Sequence, residues 1–210
     1  MKLKKLVPGL AEAIIEAGFD QEPKEIERVA VPKIMSGGDL IVVSPEGTGK
    51  STALVIGIIQ QLKKAVEEAP RAVIMVETKE KAYEMEEQFK LLGKNTDLRT
   101  FVVFDKGILQ YQKDMIYEGL DILIGTPKRI DELVSATGIP MSKMKILAVD
   151  DAELFFIPKY QPVIYRLAYL LPKSQIIVLA NRWHEGIGDL EERALKNPSV
   201  VDLMDEDDQN

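Results

Sequence analysis

The sequence has no cysteine, a single histidine and no long apolar run. The absence of cysteine excludes disulfide bonds and thiolate-bound zinc, and it is typical of proteins kept in a reducing compartment, so we expect a cytoplasmic protein. No apolar stretch reaches the ~20 residues that a transmembrane helix needs, and we therefore expect no membrane partner. The lone histidine, His184, follows a strand-like run, where we expect a loop or packing role rather than catalysis.

Charged residues of both signs are plentiful, but the balance is acidic, with a formal net charge of −7 over 210 residues. An acidic balance disfavours binding of nucleic acid over the whole surface, because such binding is mainly electrostatic. Much of the negative charge lies at the end of the chain, so the remainder is close to neutral and can still carry a local basic strip. We expect residues 1–203 to form one domain, with helices in residues 1–37, and residues 204–210 to form a disordered acidic tail.

Short apolar runs alternate with helical patterns along the chain. The runs are rich in Val, Ile and Leu on both faces, which is typical of strands buried in a parallel sheet. The predicted strands are Leu40–Ser44, Ala72–Val76, Thr100–Phe104, Ile122–Ile124, Ile146–Val149, Ile176–Ala180 and Val200–Leu203. The predicted helices are Pro8–Ala17, Pro23–Met35, Ser51–Glu68, Lys79–Leu92, Gly107–Glu118, Lys128–Ser135, Lys159–Leu170 and Glu185–Leu195. The alternation predicts an α/β fold, a doubly wound and mostly parallel sheet with helices on both faces and ligands at the carboxyl ends of the strands.

A glycine-rich segment, Ser44-Pro-Glu-Gly-Thr-Gly-Lys-Ser51, joins the first predicted strand to a helix. Strand, glycine-rich loop and helix in this order form the context of a phosphate-binding loop. The two glycines let several backbone N–H groups face one concavity, and Lys50 adds a full positive charge for the β- and γ-phosphates. The hydroxyl of Ser51 suits Mg²⁺. The alternative is an ordinary glycine-rich turn between a strand and a helix.

The strand Ile146–Val149 ends in acid, with Asp150 and Asp151 followed by Ala152 and Glu153. A phosphate-binding loop needs a carboxylate at the end of a neighbouring strand to hold Mg²⁺, and Asp150 suits that role. Asp151 is then placed to polarise the attacking water. The alternative is an acidic helix start that only offsets the helix dipole.

These segments, taken together, resemble the motifs of the DEAD-box RNA helicases. Asp150–Glu153 resembles the Asp-Glu-Ala-Asp signature, and the other matching segments occur in the family's order from about Leu6 to Leu203. They are Gly18-Phe19 with Pro23, Ile26 and Glu27; Val31-Pro32 with Gly37–Leu40; Ser44–Ser51; Thr78–Glu80; Gly125–Arg129; and Lys196–Pro198. The resemblance implies the first RecA-like domain of an ATP-dependent RNA helicase, with a second such domain in cis or in trans.

The resemblance also implies the site residues. ATP would contact Phe19, Glu27, Pro45, Glu46, Gly47, Thr48, Gly49, Lys50, Ser51 and Thr52, with Mg²⁺ on Ser51 and Asp150 and with Lys50, Asp150 and Asp151 as catalytic residues. RNA phosphates would contact Thr78, Lys79, Lys106, Gly107, Thr126, Pro127, Lys128 and Arg129. Such contacts are independent of base sequence, and Glu77 and Glu80 lower the local potential, so we expect weak RNA binding. For Lys128 and Arg129, a solvated helix start is the alternative.

Three departures from the family pattern fall on functional positions. Asp151 replaces a glutamate and is shorter by one methylene, so its oxygens retreat by about 1 Å, a displacement that can cost ~100-fold in rate. Glu27 replaces an adenine-reading glutamine, and an ionised carboxylate accepts hydrogen bonds but donates none. Ala180-Asn181-Arg182 replaces Ser-Ala-Thr; Arg182 either pairs with Asp151 or Glu153 or lies on the surface.

Two functions therefore remain open at this point. The chain is either a slow ATP hydrolase of the RNA-helicase type, which unwinds nothing as an isolated domain, or a degenerate single-domain module that binds nucleotide without turnover. A third alternative is an unrelated P-loop ATPase that acts on protein or DNA partners.

Overall fold

We describe a computed structural model of the chain, covering residues 3–19, 23–66, 69–152, 158–171 and 173–204. The strands are β1 (Leu40–Val43), β2 (Ala72–Met75), β3 (Thr100–Val103), β4 (Ile122–Gly125), β5 (Ile146–Asp150), β6 (Gln175–Ala180) and β7 (Ser199–Asp202). The helices are α1 (Pro8–Glu16), α2 (Glu25–Ser36), α3 (Lys50–Leu62), α4 (Lys79–Gly93), α5 (Leu109–Tyr117), α6 (Pro127–Ser135), α7 (Gln161–Leu170) and α8 (Glu185–Ala194), after a short 3₁₀ turn at Leu3–Lys5. The predicted α/β fold is confirmed.

The seven strands form one sheet in the order β3-β4-β2-β5-β6-β1-β7, and every pairing is parallel. Because side chains alternate between the faces of a strand, each of the strands β1 to β6 contributes to two cores. In β1, Leu40 and Val42 pack on one face with residues from α1 to α4. Ile41 and Val43 pack on the other face with residues from α5 to α8. This double burial explains why most of the strands are apolar at nearly every position.

The sheet order brings the functional segments to one edge. β6 lies between β1 and β5, with Val43 opposite Ala180 and Asp150 opposite Leu179. The phosphate-loop segment leaves the carboxyl end of β1, and the acidic pair stands at the carboxyl end of β5. Two predicted motifs that are about 100 residues apart in sequence therefore face each other across a single strand.

Helix α2 crosses α3 at close range, and this crossing fixes α2 against the site. A Cβ atom added to Gly57 of α3 would lie 2.5 Å from Cγ2 of Ile34 in α2, so only glycine permits the approach. Helix α3 ends at Leu62, not at the predicted Glu68, because Lys63 takes a positive φ of 67°. Residues 67 and 68 lie outside the described part of the chain.

No helix in the described ranges combines the length and the hydrophobicity needed to cross a bilayer. Most of the predicted acidic tail, residues 205–210, and Glu153 of the predicted acidic motif lie outside the described residues.

Candidate nucleotide site and nucleic-acid interface

The phosphate-loop segment curls at the start of α3. Gly47 and Gly49 have φ values of 77° and 99°, in the left-handed region that glycine adopts without steric cost. Gly49 is the N-cap of α3 and, having no side chain, leaves the first N–H groups of the helix without a side-chain cap. Inside the loop, the hydroxyls of Ser44 and Thr48 lie 2.7 Å apart, and Thr48 donates to the carbonyl of Pro45 at 2.9 Å. The loop is thus preformed, with the positive end of a helix dipole facing its mouth.

Lys50 is largely buried within this curl. Its ammonium donates to the carbonyl oxygens of Ser44 at 2.5 Å and Pro45 at 2.8 Å. Two neutral carbonyls compensate the cation only in part, because a charged partner forms a stronger hydrogen bond. An anionic phosphate is therefore a better partner for Lys50 than the carbonyls it contacts in this structure.

Asp150 lies at the end of β5, and its carboxylate accepts a hydrogen bond from the hydroxyl of Ser51. The pKa of Asp150 is raised to about 6, chiefly by burial and also by the nearby charge of Asp151, although the Ser51 bond and the charges of Lys50 and Lys81 oppose the rise. A hydroxyl beside a carboxylate is an oxygen donor set that suits a hard divalent cation. Such a cation would favour the ionised carboxylate, which burial alone disfavours.

Asp151 has a positive φ of 84°, which is uncommon for a residue with a Cβ atom. Its side chain is only 15% exposed, and its Oδ1 lies 2.9 Å from Nζ of Lys81. Lys81, in the first turn of α4, is also 3.7 Å from Oε2 of Glu77. In the structure, Asp151 thus pairs with Lys81. Arg182, for which the sequence allowed either a pair with Asp151 or Glu153 or a place on the surface, is exposed.

These groups line one cleft of about 350 Å³. Its walls carry Glu46, Gly47, Gly49, Lys50, Ser51 and Thr52 of the predicted nucleotide set, together with Asp150 and Asp151. Lys24, Lys81, Glu84, Met85, Gln88, Leu179 and Asn181 complete it. Sequence reasoning missed Lys24 and Lys81. For Lys81 the available signal was its place one turn after Thr78 on a predicted helix.

The start of α2 packs directly on the phosphate-loop segment. Lys24 donates from Nζ to the carbonyl of Gly47 at 3.0 Å, and Ile26 lies within contact distance of a Cβ added to Gly49. Glu27, one turn into the helix, is only 3% exposed and accepts a hydrogen bond from the backbone N–H of Lys24. Its Oε2 atom has no hydrogen-bond partner among the described residues. Burial raises the pKa of Glu27, against the opposing effects of the Lys24 backbone bond and the Lys24 charge.

The residues predicted to contact nucleic acid lie at the carboxyl ends of β2, β3 and β4. Thr78 caps α4, accepting at Oγ1 from the backbone N–H of Lys81 at 3.2 Å. Lys79 is exposed, with Nζ 4.4 Å from the ring centroid of Phe104. Lys106 is exposed, and Gly107 lies beside Gln112. The predicted residues therefore share one edge of the sheet, as the sequence indicated.

The second half of this set is more deeply engaged with the protein. Thr126 is buried, and its hydroxyl donates a hydrogen bond of 2.5 Å to Oδ1 of Asp105. Pro127 begins α6, and Lys128 is exposed at distances of 3.8 Å and 3.9 Å from Asp105 and Glu132. Arg129 is only 4% exposed, and its guanidinium donates to Oε1 of Gln112 and to the carbonyl of Asp105. The side chain of Arg129 thus faces the protein rather than solvent.

Comparison with known proteins identifies the family of the chain. The family model of the DEAD/DEAH box helicases matches residues 24–181, so the chain belongs to that family. Among curated relatives, the chain is 29% identical over 198 residues to DEAD-box ATP-dependent RNA helicase 8 of Arabidopsis thaliana, covering 94% of this chain and 39% of the relative. It is also 29% identical to ATP-dependent RNA helicase DHH1 of Yarrowia lipolytica, covering 94% of this chain and 38% of the relative. The chain thus spans about two fifths of these relatives.

A solved structure shares the fold. An S. cerevisiae Dbp5 variant bound to Nup159, a Gle1 variant, IP6 and ADP superimposes with a TM-score of 0.82 at 20% identity, covering 96% of this chain and 53% of that chain. This likeness supports the RecA-like architecture that the sheet order and the phosphate-loop segment define.

Proposed function

We propose that the chain is an ATP·Mg²⁺-binding RecA-like domain of a DEAD-box RNA helicase, which hydrolyses ATP slowly and separates no strands by itself. The observation that carries the proposal is the opposition of Lys50 and Asp150 across the cleft at the start of α3. A cation with curled backbone amides and a metal-binding carboxylate are the two halves that a nucleoside triphosphate and its metal need.

In this proposal, the phosphate-loop segment and Lys50 bind the triphosphate. Ser51 and Asp150 would hold Mg²⁺, which would offset the negative charge of the phosphates. Asp151 orients the attacking water, and Glu27 faces the adenine. The relatives described above are ATP-dependent RNA helicases, which supports this choice of nucleotide and of RNA as partner. We also propose that a second RecA-like domain completes the helicase and that the protein works in the cytoplasm.

The second candidate is a module that binds nucleotide without turnover. It is favoured by two departures from the family pattern: Asp151 is shorter than the glutamate it replaces, and Glu27, unlike the glutamine it replaces, accepts hydrogen bonds but donates none when ionised. In both proposals the chain binds ATP, so binding is the first measurement and turnover the second.

Titration calorimetry with magnesium and ATP tests the site. We expect the Lys50→Ala variant to lose most of the ATP affinity, because the substitution removes the charge that faces the phosphates. Lys64→Ala, at an exposed lysine beyond the end of α3, is the control and should bind like the unsubstituted protein. Equal affinity in all three proteins would refute the site.

Phosphate release with and without RNA then separates the two candidates. Release above the level of the Lys50→Ala variant supports the hydrolase. Binding of ATP with no release above that level supports the module.

A further inference from the structure

The cleft contains a cation that the proposed function leaves without a role. Lys81 lines the cleft together with Lys50 and Asp150, although it belongs to α4 and not to either of the two motifs. Two contacts fix the position of this residue in the helix. Its backbone N–H donates to the capping hydroxyl of Thr78, and the following residue, Ala82, is fully buried in the core. The ammonium group thus extends into the cleft from a fixed helical turn.

The ion pair with Asp151 joins two elements that are distant in sequence. Nζ of Lys81 lies 2.9 Å from Oδ1 of Asp151, within hydrogen-bond distance, whereas its contact with Glu77 is longer, at 3.7 Å. The side chain of Asp151 is 15% exposed, so solvent screens this pair less than it screens a pair between two exposed side chains.

A second lysine of α4 shows what an ordinary helix pair looks like here. Lys90 contacts Glu86 and Glu87, both on its own helix, at 2.8 Å. That arrangement is a local i,i+3 and i,i+4 pair with little influence on other elements. Lys81 instead connects the first turn of α4 with the end of β5, because it pairs with Asp151, the residue that we propose orients the water.

The backbone conformation of Asp151 indicates why its side chain needs the contact with Lys81. A positive φ of 84° directs the side chain differently from the usual strand geometry, and a residue in this conformation needs support from its surroundings. Lys81 supplies a charged hydrogen bond to the same side chain. Since the aspartate is shorter than the glutamate it stands for, the direction of its carboxylate matters more, because a 1 Å error is costly.

We propose that Lys81 is a positioning residue that holds the carboxylate of Asp151 in the direction needed to orient the attacking water. The proposal rests on the proposed function, because it assigns Lys81 to the hydrolytic step of that site. It places Lys81 outside the binding of the triphosphate: its partner is the carboxylate, and it acts on the water only through that partner.

Steady-state phosphate release at varied ATP concentrations tests the proposal in the full chain. We expect Lys81→Met to lower kcat by about 10- to 100-fold with little change in KM or in ATP affinity, because orientation rather than binding is lost. Lys81→Arg, which keeps the charge, should restore part of kcat. Lys90→Met removes the other ion-paired lysine of α4 and is the matched control, with no change expected.

Three results would overturn the proposal. An unchanged kcat in Lys81→Met would show that the contact between Lys81 and Asp151 has no function in hydrolysis. A raised KM and a weaker ATP affinity at constant kcat would make Lys81 a phosphate ligand. A higher kcat would make Lys81 an inhibitor of Asp151.

A measurement that needs no turnover separates this proposal from the proposed function. If the unsubstituted protein releases no phosphate above the Lys50→Ala level, hydrolysis fails, and a double-mutant cycle decides the role of Lys81. Asparagine tolerates a positive φ, so Asp151→Asn removes the charge without straining the backbone. Non-additive shifts in the denaturant midpoint for Lys81→Met with Asp151→Asn, but not for Lys90→Met with Asp151→Asn, support the positioning contact. Additive shifts in both pairs would refute it.

Discussion

Replacing Glu27 by glutamine changes a single group at a position where the sequence departs from its family. The carboxyl of Glu27 is buried, one oxygen accepts from the backbone N–H of Lys24, and Oε2 has no partner among the described residues. Glutamine has the same length and keeps the acceptor for Lys24. It places an amide NH₂ where Oε2 now lies, so it adds a donor where the carboxylate has none.

The expected gain in ATP affinity follows from that donor. An adenine base offers an amino donor and the N7 acceptor on one edge, and an ionised carboxylate pairs only with the donor. One additional neutral hydrogen bond contributes about 0.5–1.5 kcal/mol. We therefore expect Glu27→Gln to bind ATP about 2- to 12-fold more tightly. Selectivity for ATP over GTP should rise with it, since guanine presents a different edge.

The substitution should also change how stability depends on pH. Burial raises the pKa of Glu27 in the folded state, so the folded protein holds this proton more firmly than the unfolded chain does. The associated stability is fully present below the ordinary pKa of glutamate and is lost as the pH rises through the raised value. Glu27→Gln cannot titrate. Its stability relative to the unsubstituted protein should therefore increase from acidic to neutral pH.

Calorimetric titration with ATP and GTP, and thermal unfolding between about pH 4 and pH 8, the range around the ordinary pKa of glutamate, measure both effects. Glu25→Gln, at an exposed residue of the same helical turn, is the matched control. Equal ATP affinity and equal pH profiles for the two variants would refute the reasoning, because a removed surface charge would then explain everything that is observed.

Two further predictions concern helix packing and the nucleic-acid edge. Gly57→Ala should destabilise the protein, because strain of about 1–3 kcal/mol against Ile34 exceeds the helix-propensity gain of about 1 kcal/mol. Thermal unfolding checks this against Gly188→Ala in α8, where an added Cβ meets nothing within 4 Å and stability should rise. Lys79→Ala should weaken single-stranded RNA binding and lower its log–log salt slope by about 0.7, whereas Lys64→Ala should leave the slope unchanged, as titrations at several salt concentrations would show.

The fold could be predicted from the sequence because its signals are local. Most strands are apolar at nearly every position, and the glycine-rich segment occurs between a strand and a helix. The helix ends were harder to predict. The pattern of α3 continues past Leu62, but Lys63 turns the backbone to a positive φ, and no residue type in that stretch requires it.

The residues of the site that belong to a sequence motif could be predicted. The contacts that depend on the order of the strands in the sheet could not. Lys50, Ser51 and Asp150 follow from two motifs. The pairing of Lys81 with Asp151, 70 residues apart, depends on β2 lying beside β5, which periodicity alone does not reveal.

Arg129 is a residue for which the sequence predicted a contact with RNA but did not reveal that its side chain is buried. As a charged residue at a helix start it was assigned to RNA phosphates, but α6 turns it towards Gln112 and the carbonyl of Asp105, where it is buried. Its role in RNA binding stays a prediction. Because the guanidinium is buried and already donates to two acceptors, we expect the backbone of this turn, rather than the guanidinium, to contact RNA.

Lys50, Lys128 and Arg129 already have partners in the structure, so binding of a phosphate by these three residues is an exchange rather than an addition. Lys50 would give up two neutral carbonyls, and Lys128 would give up carboxylates at 3.8 Å and 3.9 Å in an exposed setting, where such contacts contribute little. Arg129 would have to leave buried partners, which costs far more. We therefore expect the exchange to be favourable at Lys50, nearly balanced at Lys128 and unfavourable at Arg129. We therefore expect the nucleotide site to bind its ligand more tightly than the predicted RNA contacts do, and we expect the exposed Lys79, Lys106 and Lys128 to make most of the side-chain contribution to RNA binding.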